Sequence, residues 1–259
     1  MPAEKAIGIV LRVVEFSETS CVLTIFTREF GKVRGLAKGA RRPKGPFESA
    51  LDLLALVRLV FLRKSSDALD LLTEAKLERR FRAAARGLPC LYAGYYVAEL
   101  LDALTDDDDP HPELFDAAEQ SLRALESDAL VARVVLRFEL AALRWLGHWP
   151  SLDACVECGA PVKITERLAF SLLGGGVLCA NCRPGKRQVV SLSAAAAQFL
   201  LREAAGADDG WNPRAAGELR GLVNNYLAHL LGHRPKMHEY MDTIWRAEGG
   251  RRGCLGQGH

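Results

Sequence analysis

Residues 1–78 carry the period-two alternation of β-strands, and from Glu78 onward the chain changes to helical spacing. Ile7, Ile9, Leu11 and Val13 alternate with Gly8, Val10, Arg12 and Val14. Ser20–Thr27 is rich in β-branched and aromatic residues, and Gly31–Lys38 alternates again. Leu51–Leu62 and Leu69–Leu77 supply two further strands. Five short strands joined by Gly and Pro turns predict a small barrel of the OB type, with an SH3-like barrel as the alternative.

Beyond the barrel, Leu91, Tyr95, Ala98, Leu101 and Leu104 form an apolar stripe that the acidic stretch Asp106–Asp109 and Pro110 interrupt. Pro112 opens a helix through Leu125, and Ala129–Leu146 is a further helix ending near Gly147. Helix returns over Ser193–Ala205, with Ser193 as its N-cap, then over Pro213–Leu231, ending at Gly232, and over Pro235–Arg246. The Gly-rich end of the chain reads as a flexible tail. The pattern predicts an α+β multidomain protein: an N-terminal OB-fold β-barrel (1–78), then an all-α domain in two parts (79–150 and 188–246), interrupted by a cysteine module (151–187) and followed by the tail (247–259). There is no internal repeat.

Composition adds few constraints. Of 259 residues, 49% are apolar and 25% charged, which is globular. No apolar run reaches membrane-spanning length, since Asp52 and Arg58 cut Leu51–Leu62, and Arg12 interrupts the first run, so neither a membrane span nor a signal peptide is expected. Net charge is only +2, but it is unevenly placed: Arg28–Lys44 holds seven basic residues against Glu29 alone. Positive charge gathered in one place on a near-neutral protein points to a polyanion site.

Four of the seven cysteines are spaced Cys155-x2-Cys158-x20-Cys179-x2-Cys182. Two CxxC hooks about twenty residues apart match a four-thiolate zinc site. Gly159 allows the tight turn of the first hook, and Gly174-Gly175-Gly176 reads as a flexible, hairpin-like approach to the second. Four thiolates leave no open coordination position, so the expected single Zn2+ is structural and not catalytic. Four thiolates also suit an iron–sulfur cluster, and disulfides are the bland alternative. Cys21 and Cys90 sit in apolar surroundings, and a reducing cytoplasm is the expected location.

On the third strand Lys32, Arg34 and Lys38 share parity, while Val33, Gly35 and Ala37 face the other way. Cations two residues apart on a strand lie roughly 6.6–6.8 Å from each other, a row that can follow a phosphate backbone. The loop from Gly39 adds Arg41, Arg42 and Lys44 with no large apolar side chain before Phe47. Barrel face plus basic loop is how OB-folds hold oligonucleotides. Phe26, Phe30 and Phe47 are read first as barrel core and second as stacking surfaces.

Other signals are bland. His229 and His233, four apart, read as capping or surface residues, Asp106–Asp109 as an exposed acidic loop, and Trp145, Trp149, Trp211 and Trp245 as packing. There is no GxxxxGK[ST] phosphate loop and no GxSxG nucleophile elbow.

Taken together, Gly35-Leu36-Ala37-Lys38-Gly39-Ala40-Arg41-Arg42-Pro43-Lys44, Leu146-Gly147 through Pro150 into Cys155-Val156-Glu157-Cys158-Gly159, the triple glycine before Cys179, and Tyr226–Gly232 resemble the RecO family of bacterial recombination mediators, over about Ala6–Ile244. Where the family often carries Leu-Lys-Ser-Arg, this chain has Pro235-Lys236-Met237-His238, so no role passes to Met237 or His238. Some members lack the four cysteines. The resemblance implies a non-catalytic DNA repair role: binding single- and double-stranded DNA, annealing complementary strands, and working with RecR to load RecA onto strands coated by single-stranded DNA-binding protein (SSB), whose acidic, Phe-ended tail is a further partner. That tail is expected on the helical region, with Arg133, Arg137 and Arg144 as candidate rim cations. No membrane or small-molecule substrate is implied. The alternatives are a zinc-ribbon transcription or RNA-binding factor, and a zinc hydrolase, which four thiolates disfavour.

Overall fold

The computed structural model describes residues 3–42, 45–47, 50–64, 68–164, 167–207 and 211–250, with side chains as far as Ile244 in the last segment, so the expected packing role of Trp245 lies outside the described residues. Two compact units appear, Met1–Val131 and Ala132–His259.

The first unit begins with five strands, β1 (Ala3–Glu15), β2 (Cys21–Thr27), β3 (Gly31–Ala37), β4 (Leu56–Leu62) and β5 (Asp70–Arg79). They close in the order β1-β2-β3-β5-β4, with β3–β5 parallel and the other pairs antiparallel, which is the OB-type arrangement. One long strand closes the ring. β1 pairs with β4 through Ala3–Ile9 and with β2 through Gly8–Glu15, bending at an irregularity between Val10 and Arg12. The polar backbone groups that the bend leaves over are taken by the β3–β4 connection, where Val10 donates to Ala55 and Leu54 donates back to Val10. That explains why Leu51–Ala55 is not strand, contrary to the alternation: Leu54 turns at φ +63 to plug the bend and is fully buried. Val10, Leu23, Ile25, Val33, Val57, Leu59, Phe61 and Leu72 fill the barrel, with Phe47 inserted from the same connection.

Strand persists through Arg79, and helix begins with a single 3-10 turn, Ala83–Arg86. α1 (Leu88–Leu104) and α2 (Pro112–Leu125) then pack on the barrel. Leu114, Phe115, Ala118, Leu122 and Leu125 make the buried stripe of α2, and the Phe115 ring sits 6.2 Å from Phe26 on β2. Arg28 forks onto Asp116 at 2.9 and 3.0 Å. The limit expected at 78/79 falls inside the end of β5, and these two helices belong to the same compact unit as the barrel.

The second unit opens on α3 (Val131–Trp145) and returns through α4 (Ala194–Ala204), α5 (Pro213–Leu231) and α6 (His238–Gly250). Ser193 caps α4 by accepting from the Ala196 amide, as expected, and Gly232 ends α5 in the left-handed conformation. Between α3 and α4, in and just after the span read as the cysteine module, lies a three-stranded antiparallel sheet of which only a hairpin-like approach was expected: β6 (Arg167–Ser171), β7 (Gly176–Leu178) and β8 (Val189–Ser193), in the order β7-β6-β8. Phe170 on β6 meets Tyr226 of α5 edge to face at 5.8 Å. The last helix runs to Gly250, and residues 251–259 of the expected tail lie outside the described residues.

Candidate nucleic-acid interface and metal centre

Cross-strand register decides which cations share a surface. Directly paired residues point to the same side of a sheet. On the outer side of β1–β2–β3 the rows are Ile9–Phe26–Lys32, then Arg12–Thr24–Arg34, then Val14–Val22–Leu36. The first row is covered by α1 and α2: Ile9, Phe26 and Lys32 are all buried. In the second and third rows Arg12, Val14 and Arg34 are exposed and Val22 and Leu36 half-buried, while Thr24 between them is buried. The basic loop continues this surface, and Lys38, Arg41 and Arg42 are exposed on it. Arg41 is held against the β1–β2 turn, its amide donating to Thr19 and its guanidinium pairing with Glu15 at 3.0 Å. Arg12, Lys38 and Arg42 have no acidic partner among the described residues. Lys44 lies outside the described residues.

Lys32 departs from the expected role. Its ammonium donates to the carbonyls of Asp102 and Thr105, both at 2.7 Å, at the C-terminal end of α1. Asp102 and Asp107 carboxylates stand 3.5 and 3.9 Å away. The cation closes off a helix end where orphan carbonyls concentrate negative charge, and it has no free path to a phosphate. The acidic stretch is likewise more than a solvated loop. Asp107 also pairs with Arg34 at 3.2 Å, Asp108 with Arg63 at 3.1 Å, and the Asp108 amide donates to the Lys32 carbonyl. Lys32→Met should therefore cost on the order of 3 kcal/mol of stability, the scale of losing charged hydrogen bonds at a buried site. Urea unfolding and the salt dependence of DNA affinity, measured together, check it: stability falls and the salt slope stays. A reduced slope with unchanged stability returns Lys32 to the interface.

The phenylalanines sort cleanly. Phe26 and Phe47 are core, and Phe30 packs edge to face on Phe61 at 5.6 Å with Arg63 above its ring. None lies on the open face. Phe16, at the tip of the β1–β2 hairpin, does, together with Arg12 and Val14. These three were missed because they read as the end of a strand and the start of a polar loop. Their shared parity and the strand opposite them were visible, but which side of that strand pair α1 and α2 leave uncovered was not.

The four cysteines converge. Their sulfur atoms all lie within 4.8 Å of one another, and Cys158 and Cys179 are 3.8 Å apart. A tetrahedron with Zn–S bonds of about 2.3 Å has edges of about 3.8 Å, so the donor set fits one metal ion and is too wide for disulfides. Each hook is a tight turn: Gly159 at φ +70 donates its amide to Cys155, and Cys182 and Arg183 donate theirs to Cys179. The triple glycine is not a flexible approach but a close-packed one. A Cβ on Gly174 would stand 2.7 Å from Val156, one on Gly175 would stand 2.5 Å from the Tyr226 hydroxyl, and one on Gly176 would stand 2.5 Å from Val156. Strand β7 is thereby laid against Ser151 and Val156, with Val177 and Val156 sharing a backbone bond, and this sets the second hook beside the first. Amides of Cys179, Cys158 and Glu157 hold the Cys155 thiol down to about 6, whereas proton sharing with Cys179 and Cys158 pushes Cys182 up to about 12. A cluster of thiols alone thus supports an uneven set of charges, and a bound dication removes the asymmetry because coordinating thiols ionise. His229 and His233 join no comparable cluster among the described residues.

In the second unit, Arg133 and Arg137 both bind the fully buried Glu203 carboxylate, at 2.7 Å each. Arg144 lies 4.6 Å above the Trp149 ring, and Arg137, Leu140, Arg144, Trp145 and Trp149 line a small cleft. Trp145 is 46% exposed and so is not the packing residue expected. His238, of the substituted element, is buried within 3.7 Å of Asp242, where Arg220 also binds.

The chain matches two protein families along most of its length: Recombination protein O N terminal over residues 1–81, and Recombination protein O C terminal over residues 88–239. A DNA repair protein RecO from Rhodopirellula baltica is 41% identical, over 90% of this chain and 97% of its own. One from Anaeromyxobacter dehalogenans is 36% identical over 94% of this chain and 98% of its own, and one from Myxococcus xanthus is 34% identical over 92% and 96%.

Proposed function

The chain belongs to the RecO family of DNA repair proteins, which are non-catalytic recombination mediators, and we propose that it binds single- and double-stranded DNA on the open half of its barrel face, anneals complementary strands, and with RecR loads RecA onto SSB-coated strands. The observation that carries this reading is that open half-face, where Arg12, Lys38 and Arg42 stand without acidic partners among the described residues. Annealing brings two phosphate backbones together. Cations that screen their repulsion accelerate it without consuming a nucleotide, and phosphate contacts position a strand without reading it. The metal is one structural zinc on Cys155, Cys158, Cys179 and Cys182, whose role is to hold residues 151–187 in place. No described helix is long and apolar enough to cross a membrane; a cytoplasmic, nucleoid-associated protein fits that.

Loading requires DNA and SSB to be held by one protein, a matter of linked binding sites. The SSB tail, acidic and ending in Phe, suits the cleft of Arg137, Leu140, Arg144, Trp145 and Trp149. Since Arg133 and Arg137 already bind one buried carboxylate, Arg144 is the cation left to meet the tail. The test is annealing of SSB-coated complementary oligonucleotides without nucleotide. Wild type accelerates it; Arg144→Glu binds naked DNA as before but loses both a fluorescent tail peptide and the acceleration on coated strands. Wild type that leaves annealing at its spontaneous rate overturns the reading, and peptide affinity unchanged in Arg144→Glu moves the tail site elsewhere.

A further inference from the structure

The barrel face explains attraction to any nucleic acid, but cations alone do not separate a single strand from a duplex. We propose that Phe16 is a base-stacking platform that gives this face its preference for unpaired strands. The inference rests on the reading that the open barrel face binds DNA, and it names the contact that discriminates between the two forms.

Exposure of one aromatic ring is ordinary by itself. Three further observations separate Phe16 from the other exposed apolar residues. At 66% exposure it is the most open large apolar side chain among the described residues, and it is the aromatic that the barrel leaves uncovered, since Phe26, Phe47 and Phe61 are core and Phe30 packs on Phe61. Its backbone is fixed: the amides of Phe16 and Ser17 both donate to the Ser20 carbonyl, at 3.0 and 3.1 Å, so the ring is carried on a closed turn. It also continues a mixed surface. Val14, with the same parity, is 42% exposed and pairs across to Val22 and then to half-buried Leu36. Arg12 lies on the same side one step back along β1, and Arg41 is bonded to the turn that carries the ring.

An apolar strip ending in an aromatic ring and flanked by cations fits a polyanion that carries flat apolar faces. A single strand has both, the phosphates for Arg12, Lys38, Arg41 and Arg42 and an unpaired base for Phe16. In a duplex the base faces are already stacked, so Phe16 has nothing to meet while the cations keep their phosphates. Aromatic stacking tolerates any base, as a sequence-independent mediator needs.

The experiment measures anisotropy of the full-length protein against an oligothymidine strand, a hairpin duplex and an abasic strand of equal charge, over a salt series. Phe16→Ala should weaken oligothymidine binding about ten- to a hundredfold, with the salt slope, the duplex affinity and the abasic affinity unchanged. Phe16→Trp should restore binding, which a variant damaged in folding does not. Equal losses on duplex and single strand, or no loss on the single strand, overturn the proposal. If Arg41→Glu/Arg42→Glu weakens binding while Phe16→Ala is silent, stacking falls and the barrel reading stands. If neither variant changes DNA affinity, the barrel reading itself falls.

Discussion

Cys155→Ser should bind no zinc and lose the fold of the cysteine module, while the barrel unfolds as in wild type. The module has little of its own to hold it: a three-stranded sheet of short strands and two tight turns. The hooks lie twenty residues apart, and in such modules metal binding is itself folding free energy, about 10–16 kcal/mol for structural zinc sites. The barrel depends on a separate core of Val10, Leu23, Ile25, Val33, Leu59 and Phe61. Metal analysis of the wild type should give one zinc per chain. Limited proteolysis of Cys155→Ser, or of chelator-treated protein, should then cut within residues 151–187 and spare the barrel. Wild-type protein without metal, or with the visible absorbance of an iron–sulfur cluster, removes the zinc assignment. A Cys155→Ser protein as protease-resistant as wild type removes the structural role.

The second large effect is electrostatic. Combined charge reversal of Arg41, Arg42 and Lys44 should weaken binding to every DNA sequence alike. Each phosphate contact on a single strand contributes about 0.7 to the slope of log affinity against log salt, so three lost contacts flatten it by about 2. Arg41 already shares its charge with Glu15, so its reversal also places two acids side by side on the hairpin and adds to the loss. An unchanged slope places the DNA elsewhere, with the exposed Arg183 and Arg187 of the cysteine module as the next site to reverse.

Local rules made much of this protein legible. Strand alternation gave the barrel, because one side of each strand must be buried, and four of its five strands begin and end close to where the pattern changes. Helix caps were readable where a side chain satisfies its own backbone, as at Ser193, or where the chain must turn left-handed, as at Gly232. Double CxxC spacing gave the metal centre, since tetrahedral coordination by two hooks constrains sequence directly and the four sulfurs do meet. The strands of the cysteine module were harder to see. They are short, and Gly176 looks like a flexible linker until Val156 and Ser151 are placed against it.

The amino-acid sequence by itself determined the barrel, the order of the helices and the four-cysteine cluster, because each depends on neighbours in the chain or on a fixed spacing. Only the tertiary structure decided which cations reach solvent. Lys32 and Arg34 are two residues apart and share parity, yet one is sealed under the end of α1 and the other is exposed with Asp107 beside it, because α1 and α2 bury the first row of the outer barrel face and only their connection reaches the second. The same boundary leaves Arg12, Val14 and Phe16 in the open beside Lys38 and Arg41. Parity fixes the side of a strand on which a residue stands; whether that side meets water depends on chain many residues away, and no local pattern encodes it.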